Sequence, residues 1–251
     1  MRLTTPSWVL RRVRWSESSL ILTLYSMDQG RISVIARGAL RPGGRFQGLL
    51  ELLSGVEVTV TRREGRELDT LVDATLFEPG TRLRSDPDAF AHACLLSEWV
   101  LGLFMGGESS SSVYNLLGAA FAMLPESRSR WAVTCVSVES MLNLAGHAME
   151  IDDCVRCGMP AGGSGHWSHR DGGILCSGCS APGDIVISPG ILEFVKTCRR
   201  SGFETASRVR LWKGGFRTCH DFMREFAQAH NQSGLKLRSL GVLEDLENGV
   251  G

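Results

Sequence analysis

The 251-residue chain balances 27 lysines and arginines against 27 acids; 43% of it is hydrophobic, and its mean hydropathy is zero. Such a chain can bury an ample core in one large domain or two, and it is not a simple polycation. No apolar run approaches the roughly 20 residues of a membrane helix, and the opening MRLTTPSWVLRRVRW mixes charged with apolar residues, unlike a signal peptide.

From Ser7 to Phe77 the pattern is that of strands. Apolar and β-branched residues fill Trp8–Val13, Leu20–Tyr25 and Ile32–Ala36. In the fourth segment Val56, Val58 and Val60 alternate with Glu57, Thr59 and Thr61, one face in and one out. Arg63-Glu64-Gly65 reads as a turn, after which Leu68, Thr70, Val72, Ala74 and Leu76 continue the alternation. Five strands with their widest connection, Gly38 to Ser54, between the third and fourth match an OB-fold barrel; an SH3-like barrel or an open meander fits the same pattern.

After Pro79 the period becomes helical. Ser85-Asp86-Pro87 supplies a cap and a first-turn proline for a helix through Phe90, Cys94, Ser97, Leu101 and Phe104. Gly106-Gly107 stops it, and Ser109–Ser112 restarts the chain into a helix from Val113 to Leu124, ended near Pro125. A third helix starts near Arg130 with Trp131, Cys135, Val138, Leu142 and Ala145 on one stripe. Ser188-Pro189 opens a fourth (Ile191, Val195, Cys198), and the fifth runs from Phe216 towards His230. The expected architecture is an α+β multidomain chain. Residues 1–80 form the five-stranded OB-fold barrel; residues 81–251 form one all-helical bundle with a hairpin inserted at about 152–182, and the last dozen residues fray.

The hairpin contains Cys154-x-x-Cys157 and Cys176-x-x-Cys179. Each Cys-x-x-C turn aims two thiolates at one point, and two turns supply the four soft ligands of a closed structural zinc site. Between them, His166–Leu175 reads as a small hairpin turning at Asp171-Gly172. Its loop is too poor in apolar residues to fold without the metal. Two disulfides are the bland alternative, and His166 and His169 are alternative ligands of lower standing. Cys94, Cys135, Cys198 and Cys219 fall at apolar helical positions and read as buried thiols. Eight cysteines without an export signal favour a reducing, bacterial-type cytoplasm.

No catalytic machinery emerges. There is neither a phosphate-binding P-loop nor a dinucleotide fingerprint. Asp69 and Asp73 are expected on the solvated face of their strand. Asp86 and Asp88 suit a helix N-terminus, and Asp152-Asp153 suits a turn. The uneven charge is more informative. Residues 1–50 hold Arg2, Arg11, Arg12, Arg14, Arg31, Arg37, Arg41 and Arg45 against only Glu17 and Asp28, while residues 81–153 are acidic. In Arg37–Phe46 (RGALRPGGRF), glycines permit close backbone approach to a polyanion, and guanidinium forks suit phosphate oxygens. Trp8, Trp15, Tyr25 and Phe46 are candidate platforms for stacking bases. The bland reading is a solvated basic loop with the aromatics in the barrel core.

Several stretches carry a resemblance over nearly the whole chain: VLRRVRWSESSLILTLYSMDQGRISVIARGALRPGGRF, then CVRCG followed by DGGILCSGC, then SPGILEFV. They are similar to the RecO family of bacterial recombination mediators, in which an OB barrel precedes a helical domain with a four-cysteine zinc insertion. The family's commoner barrel lysines are replaced here by arginine. The resemblance implies a non-enzymatic, cytoplasmic, nucleoid-associated protein of DNA repair with no small-molecule substrate and no membrane partner. It would bind single- and double-stranded DNA, anneal complementary strands and, with RecR, help load the recombinase onto strands covered by single-strand-binding protein. The expected DNA track is Arg11, Arg12, Arg14, Arg31, Arg37, Arg41, Arg45 and Phe46, with structural Zn2+ on the four cysteines. Arg199, Arg200, Arg208 and Arg210 would extend the track or receive the acidic tail of single-strand-binding protein. A zinc-ribbon adaptor of transcription or translation is the alternative, and a metal-dependent nuclease is a weaker one.

Overall fold

The computed structural model describes residues 1–62, 68–105, 111–162, 165–168, 170–230 and 234–249. The expected turn at Arg63–Gly65, the Gly106-Gly107 stop and the candidate ligand His169 lie outside these residues. Five strands close a barrel: β1 (Arg2–Arg14), β2 (Leu20–Ser26), β3 (Gly30–Ala36), β4 (Gly55–Thr61) and β5 (Asp69–Glu78), in the order β1-β2-β3-β5-β4. β1 is long enough to serve two neighbours. Arg2–Trp8 pair with β4, and Ser7–Arg14 pair with β2. The one parallel pairing, β3 with β5, runs through Val34↔Asp69 and Ile35↔Thr70. This is the five-stranded OB arrangement.

The barrel interior takes the alternate residues of the strands. Leu22 and Leu24 of β2, Val34 of β3, and Val56, Val58 and Val60 of β4 are fully buried, each such side chain contributing about 1.5–3 kcal/mol by leaving water. Of three register slips in the barrel, two re-aim core side chains. On β1, Val9 faces Leu24 but Arg11 faces Thr23, so Leu10 is the extra residue and Trp8, Val9 and Leu10 are buried consecutively. On β5, Asp73 faces Thr59 but Leu71 faces Val60, which leaves Val72 extra. The expected inward set Leu68, Thr70 and Val72 is therefore wrong by one residue: Leu71 points into the core, and the alternation resumes at Ala74. Asp69 moves inward with Leu71. It is 5% exposed rather than solvated, and Arg62 Nε reaches its carboxylate at 3.2 Å.

The connection from β3 to β4 holds turns but no helix, and its Phe46 and Leu50 fold back to plug the barrel. It ends at Leu53, whose φ of 64° is left-handed backbone that a branched residue adopts only where its surroundings enforce it. Here Leu53 is fully buried, and its N–H donates to the Val9 carbonyl at 2.8 Å.

The helices are α1 (Thr81–Arg84), α2 (Pro87–Leu103), α3 (Ser111–Met123) and α4 (Arg130–Leu144), then α5 (Pro189–Arg200), α6 (Phe203–Ala206), α7 (Gly215–His230) and α8 (Ser239–Glu247). Both cap readings hold: Asp86 accepts from Ala89 N–H at 3.1 Å and Ser188 from Ile191 N–H at 3.4 Å. The helices are shared between two units. By contact the chain divides into Met1–Glu126 with Leu237–Gly251, and Ser127–Lys236. In the first unit α2 and α3 contact β1, and Trp8 fixes that packing. Its indole N–H donates to the Tyr114 carbonyl at 3.1 Å, and its ring meets Phe77 and Phe121 edge-on. α8 also belongs there, against the expectation of a frayed end. It buries Leu240 and Leu243, contacts α2, and has its first N–H capped by Glu98 at 3.0 Å. In the second unit α4 contacts α5, α6 and α7. Three short strands, β6 (Gly165–Ser168), β7 (Gly173–Leu175) and β8 (Ile185–Ile187), form a sheet in the order β7-β6-β8.

Candidate metal centre and nucleic-acid interface

Each half of the metal centre is a tight turn. Cys154 N–H donates to the Met159 carbonyl and Gly158 N–H to the Cys154 carbonyl, both at 2.8 Å, with Gly158 at φ 71°. In the second half the N–H groups of Cys179 and Ser180 both donate to the Cys176 carbonyl at 3.0 Å. The sulfurs of Cys154, Cys157, Cys176 and Cys179 lie within 4.8 Å of one another, and Cys157 and Cys176 are 3.8 Å apart. A tetrahedral ion bonded to sulfur at about 2.3 Å spaces its ligands about 3.8 Å apart. All eight cysteines are free thiols, so disulfides do not explain the cluster. His166 is half-buried on β6 and outside the group, which is the sole one of its kind among the described residues.

The electrostatics agree with a cation site. Backbone N–H groups of Cys176, Cys157 and Arg156 aim at the Cys154 sulfur and bring its pKa down to about 6. The neighbouring Cys157 and Cys176 sulfurs push Cys179 up to about 12. Opposed shifts within one cluster of sulfurs are what mutual repulsion of negative charge produces, and a bound cation would relieve it. Arg156, inside the first turn, ties the halves together: it donates to the Cys179 carbonyl and to Asp171 of the β6–β7 turn at 2.6 Å. That guanidinium, with the Ser168 hydroxyl, holds the Asp171 carboxyl below its ordinary range. Below the sulfurs the sheet has an apolar anchor that the cysteine spacing does not announce. Trp167 is 1% exposed and meets Phe222 and Phe226 of α7 at 5.6 and 5.5 Å between ring centroids.

The expected DNA residues separate into two groups. Arg11 and Arg14 are exposed on β1, and Arg14 arches over the β1–β2 loop to the carbonyls of Ser16 and Glu17. Arg37 and Arg41 are exposed on the β3–β4 loop. Leu40 N–H donates to the Ser18 carbonyl at 3.0 Å, which draws the two loops together. Trp15, on the β1–β2 loop, is 64% exposed, and a cleft of about 320 Å³ in the same barrel is lined by residues that include Arg12, Arg41 and Gln47. Arg12 pairs with Glu51 there.

Arg31 is not brought to this patch. It lies at the other end of β3, where its guanidinium caps α2 by donating to the carbonyls of Leu101, at 3.1 Å, and Met105. Phe46, Trp8 and Tyr25 are 2%, 6% and 0% exposed, so no base reaches their faces. Arg45 lies over the buried Phe46 ring at 4.5 Å and is itself exposed. Of the four aromatics expected as platforms, Trp15 is the one in solvent.

The later arginines are mostly spoken for. Arg199 holds the buried Glu139, Arg200 pairs with Glu193, and Arg208 pairs with Glu204. The aspartate pairs also have structural partners: Asp86 caps α2, Asp69 pairs with Arg62, and Lys196 lies 2.5 Å from Asp152 and lowers its pKa. Among the described residues no helix is long and apolar enough to cross a membrane.

These features define a class of small two-unit protein: an OB barrel with exposed arginines on its loops, helices, and a hairpin that gathers four cysteines. The family profiles described as "Recombination protein O N terminal" and "Recombination protein O C terminal" match residues 1–79 and 84–239. The chain belongs to the RecO family of DNA repair proteins. It is 28% identical over 225 residues to the DNA repair protein RecO of Anaeromyxobacter dehalogenans, covering 88% of this chain and 89% of that one. It is 32% identical over 189 residues to the Rubrobacter xylanophilus RecO, covering 73% and 75%. The Desulfatibacillum aliphaticivorans RecO is 26% identical over 253 residues, 97% of each chain.

Proposed function

We propose that this chain is a strand-annealing recombination mediator that binds single- and double-stranded DNA through the loop end of its barrel. The observation that carries this reading is the convergence of Arg14, Arg37 and Arg41 with the exposed Trp15 on two hydrogen-bonded loops of an OB barrel. Exposed guanidinium groups neutralise phosphates without reading sequence, so two polyanionic strands can approach each other. Trp15 gives a base a transient stacking partner, which favours exchange over tight capture. Arg11, Arg12 and Arg45 flank the track, while Arg31 and Phe46 serve the fold. No bond is broken in this scheme, so the protein acts without being an enzyme. RecR and the tail of single-strand-binding protein are its expected partners, in the cytoplasm and at the nucleoid.

The four cysteines are proposed to hold one structural zinc ion. Zinc is the divalent ion suited to four thiolates in a closed tetrahedral set, and such a site leaves no open position for chemistry. The direct test of function is annealing of complementary oligonucleotides, bare and coated with single-strand-binding protein. Acceleration in both cases supports the mediator. Binding without acceleration would instead favour a nucleic-acid-binding adaptor.

A further inference from the structure

A second surface pairs an exposed aromatic ring with cations, and it lies in the other unit. Between α6 and α7 the chain runs SRVRLWKGG, and from Ser207 to Thr218 it carries Arg208, Arg210, Lys213 and Arg217 with no acid. Arg208 is paired with Glu204, and Arg217 lies near Asp221 and over the Trp131 ring. Arg210 and Lys213 are exposed and paired with no acid among the described residues. Between them stands Trp212, 49% exposed.

The seating of that ring is specific. A Cβ added at Gly215 would meet Trp212 Cδ2 and Cε2 at 2.9 and 3.0 Å. Those atoms form the fusion bond of the indole, which another atom approaches only from a face. A Cβ at Gly190 would meet Cζ3 at 3.0 Å, with Cε3 and Cη2 at 3.8 and 3.9 Å, the pattern of an approach to the ring edge. One face thus rests on bare backbone and one edge is stopped, so the remaining exposure lies on the opposite side. The indole is a fixed plate, and little rotamer entropy is lost when a flat ligand stacks on it. Two uncommitted cations adjoin it in sequence, and aromatic rings flanked by cations suit single-stranded nucleic acid.

We propose that Trp212, with Arg210 and Lys213, forms a second single-strand site that stacks one unpaired base and contacts its flanking phosphates, separately from the barrel loops. The inference rests on the reading that the chain binds DNA, and it adds to it: annealing requires two strands to be held at once, and a second site provides for the second strand.

The test is photocrosslinking of the full chain to an oligothymidylate bearing 5-iodo-deoxyuridine, with the linked peptides identified by mass spectrometry. Parent, Arg37→Glu/Arg41→Glu, Trp212→Ala, Trp212→Phe and Arg210→Glu/Lys213→Glu proteins are compared, with melting temperature and zinc content as checks on folding. The expected result is a crosslink at Trp212 in the parent and in the barrel variant. Trp212→Ala and Arg210→Glu/Lys213→Glu should each weaken binding at least about fivefold, and Trp212→Phe should restore much of the loss. Crosslinks confined to the barrel, with folded Trp212→Ala and Arg210→Glu/Lys213→Glu proteins binding like the parent, would overturn this proposal and leave the DNA reading intact. No crosslink and no binding in the parent would overturn both. Quenching of Trp212 by an acidic peptide but not by the oligonucleotide would reassign the surface to a protein partner.

Discussion

Glu139 on α4 is 2% exposed, and its carboxylate is held by Arg199 Nε at 2.9 Å and by the Asn143 amide, while Arg199 also donates to the Met149 carbonyl. Removing only the cation strands a buried charge. Arg199→Ala should therefore cost roughly 2–3 kcal/mol of unfolding free energy, allowing for the partial exposure of the arginine. Arg199→Ala with Glu139→Gln should recover most of that loss in the same denaturation assay. His220 on α7 gives a pH signature. It is fully buried, which lowers its pKa below the ordinary 6.5 despite the opposing effect of Asp221; Arg217 and Arg224 act in the same direction as burial. The unfolded histidine takes a proton near 6.5 while the folded one refuses it, so stability is complete above that pH and declines as pH falls below it. Melts between pH 7.5 and 5.5 should show the decline, and His220→Gln should flatten it. Residue identity alone did not separate structural from available arginines. Arg31 and Arg37 read alike in sequence, and only the C-terminal carbonyls of α2 distinguish them.

Among elements, those with local signals were the legible ones. The alternation in β4, the Asp86-Pro87 and Ser188-Pro189 caps and the paired Cys-x-x-C turns are each written within a few residues, so sequence located them. What escaped depends on distant partners. The slip at Val72 is set by the pairing of β5 with β4, and it moved Asp69 inward. The helix α8 is only nine residues long and carries three acids, and its Leu240 and Leu243 find their burial in contact with α2. β8 has three residues and exists as the second neighbour of β6. The hairpin was expected to depend wholly on metal, yet Trp167 anchors it to α7 as well. Cys176→Ser should therefore lose the metal, one ion per chain by elemental analysis in the parent, and lower the melting temperature. Binding through the proposed barrel track, measured below that temperature, should change little, because that track lies in the other unit. A variant that loses the metal and melts like the parent would show that the apolar anchor suffices.

At the scale of the whole molecule, zero net charge conceals a division of labour. Arginines concentrate in the first 50 residues, and the exposed ones gather where the β1–β2 and β3–β4 loops meet. The family is legible from the order of the parts and from the cysteine spacing, but the DNA surface is not, since exposure follows from folding. Phe46 was placed in the expected track and Trp15 was only one of four candidate platforms, yet folding buried Phe46 and left Trp15 in solvent. The central claim is that phosphate neutralisation by this loop end drives binding, and salt measures it. Affinity for oligothymidylate should be determined at several salt concentrations for the parent and for Arg37→Glu/Arg41→Glu. The parent should lose affinity linearly on logarithmic axes. The variant should bind more weakly, with a slope shallower by about 1.4, or about 0.7 for each single-strand phosphate that is no longer neutralised. A folded variant with the parent's affinity and the parent's slope would contradict the account.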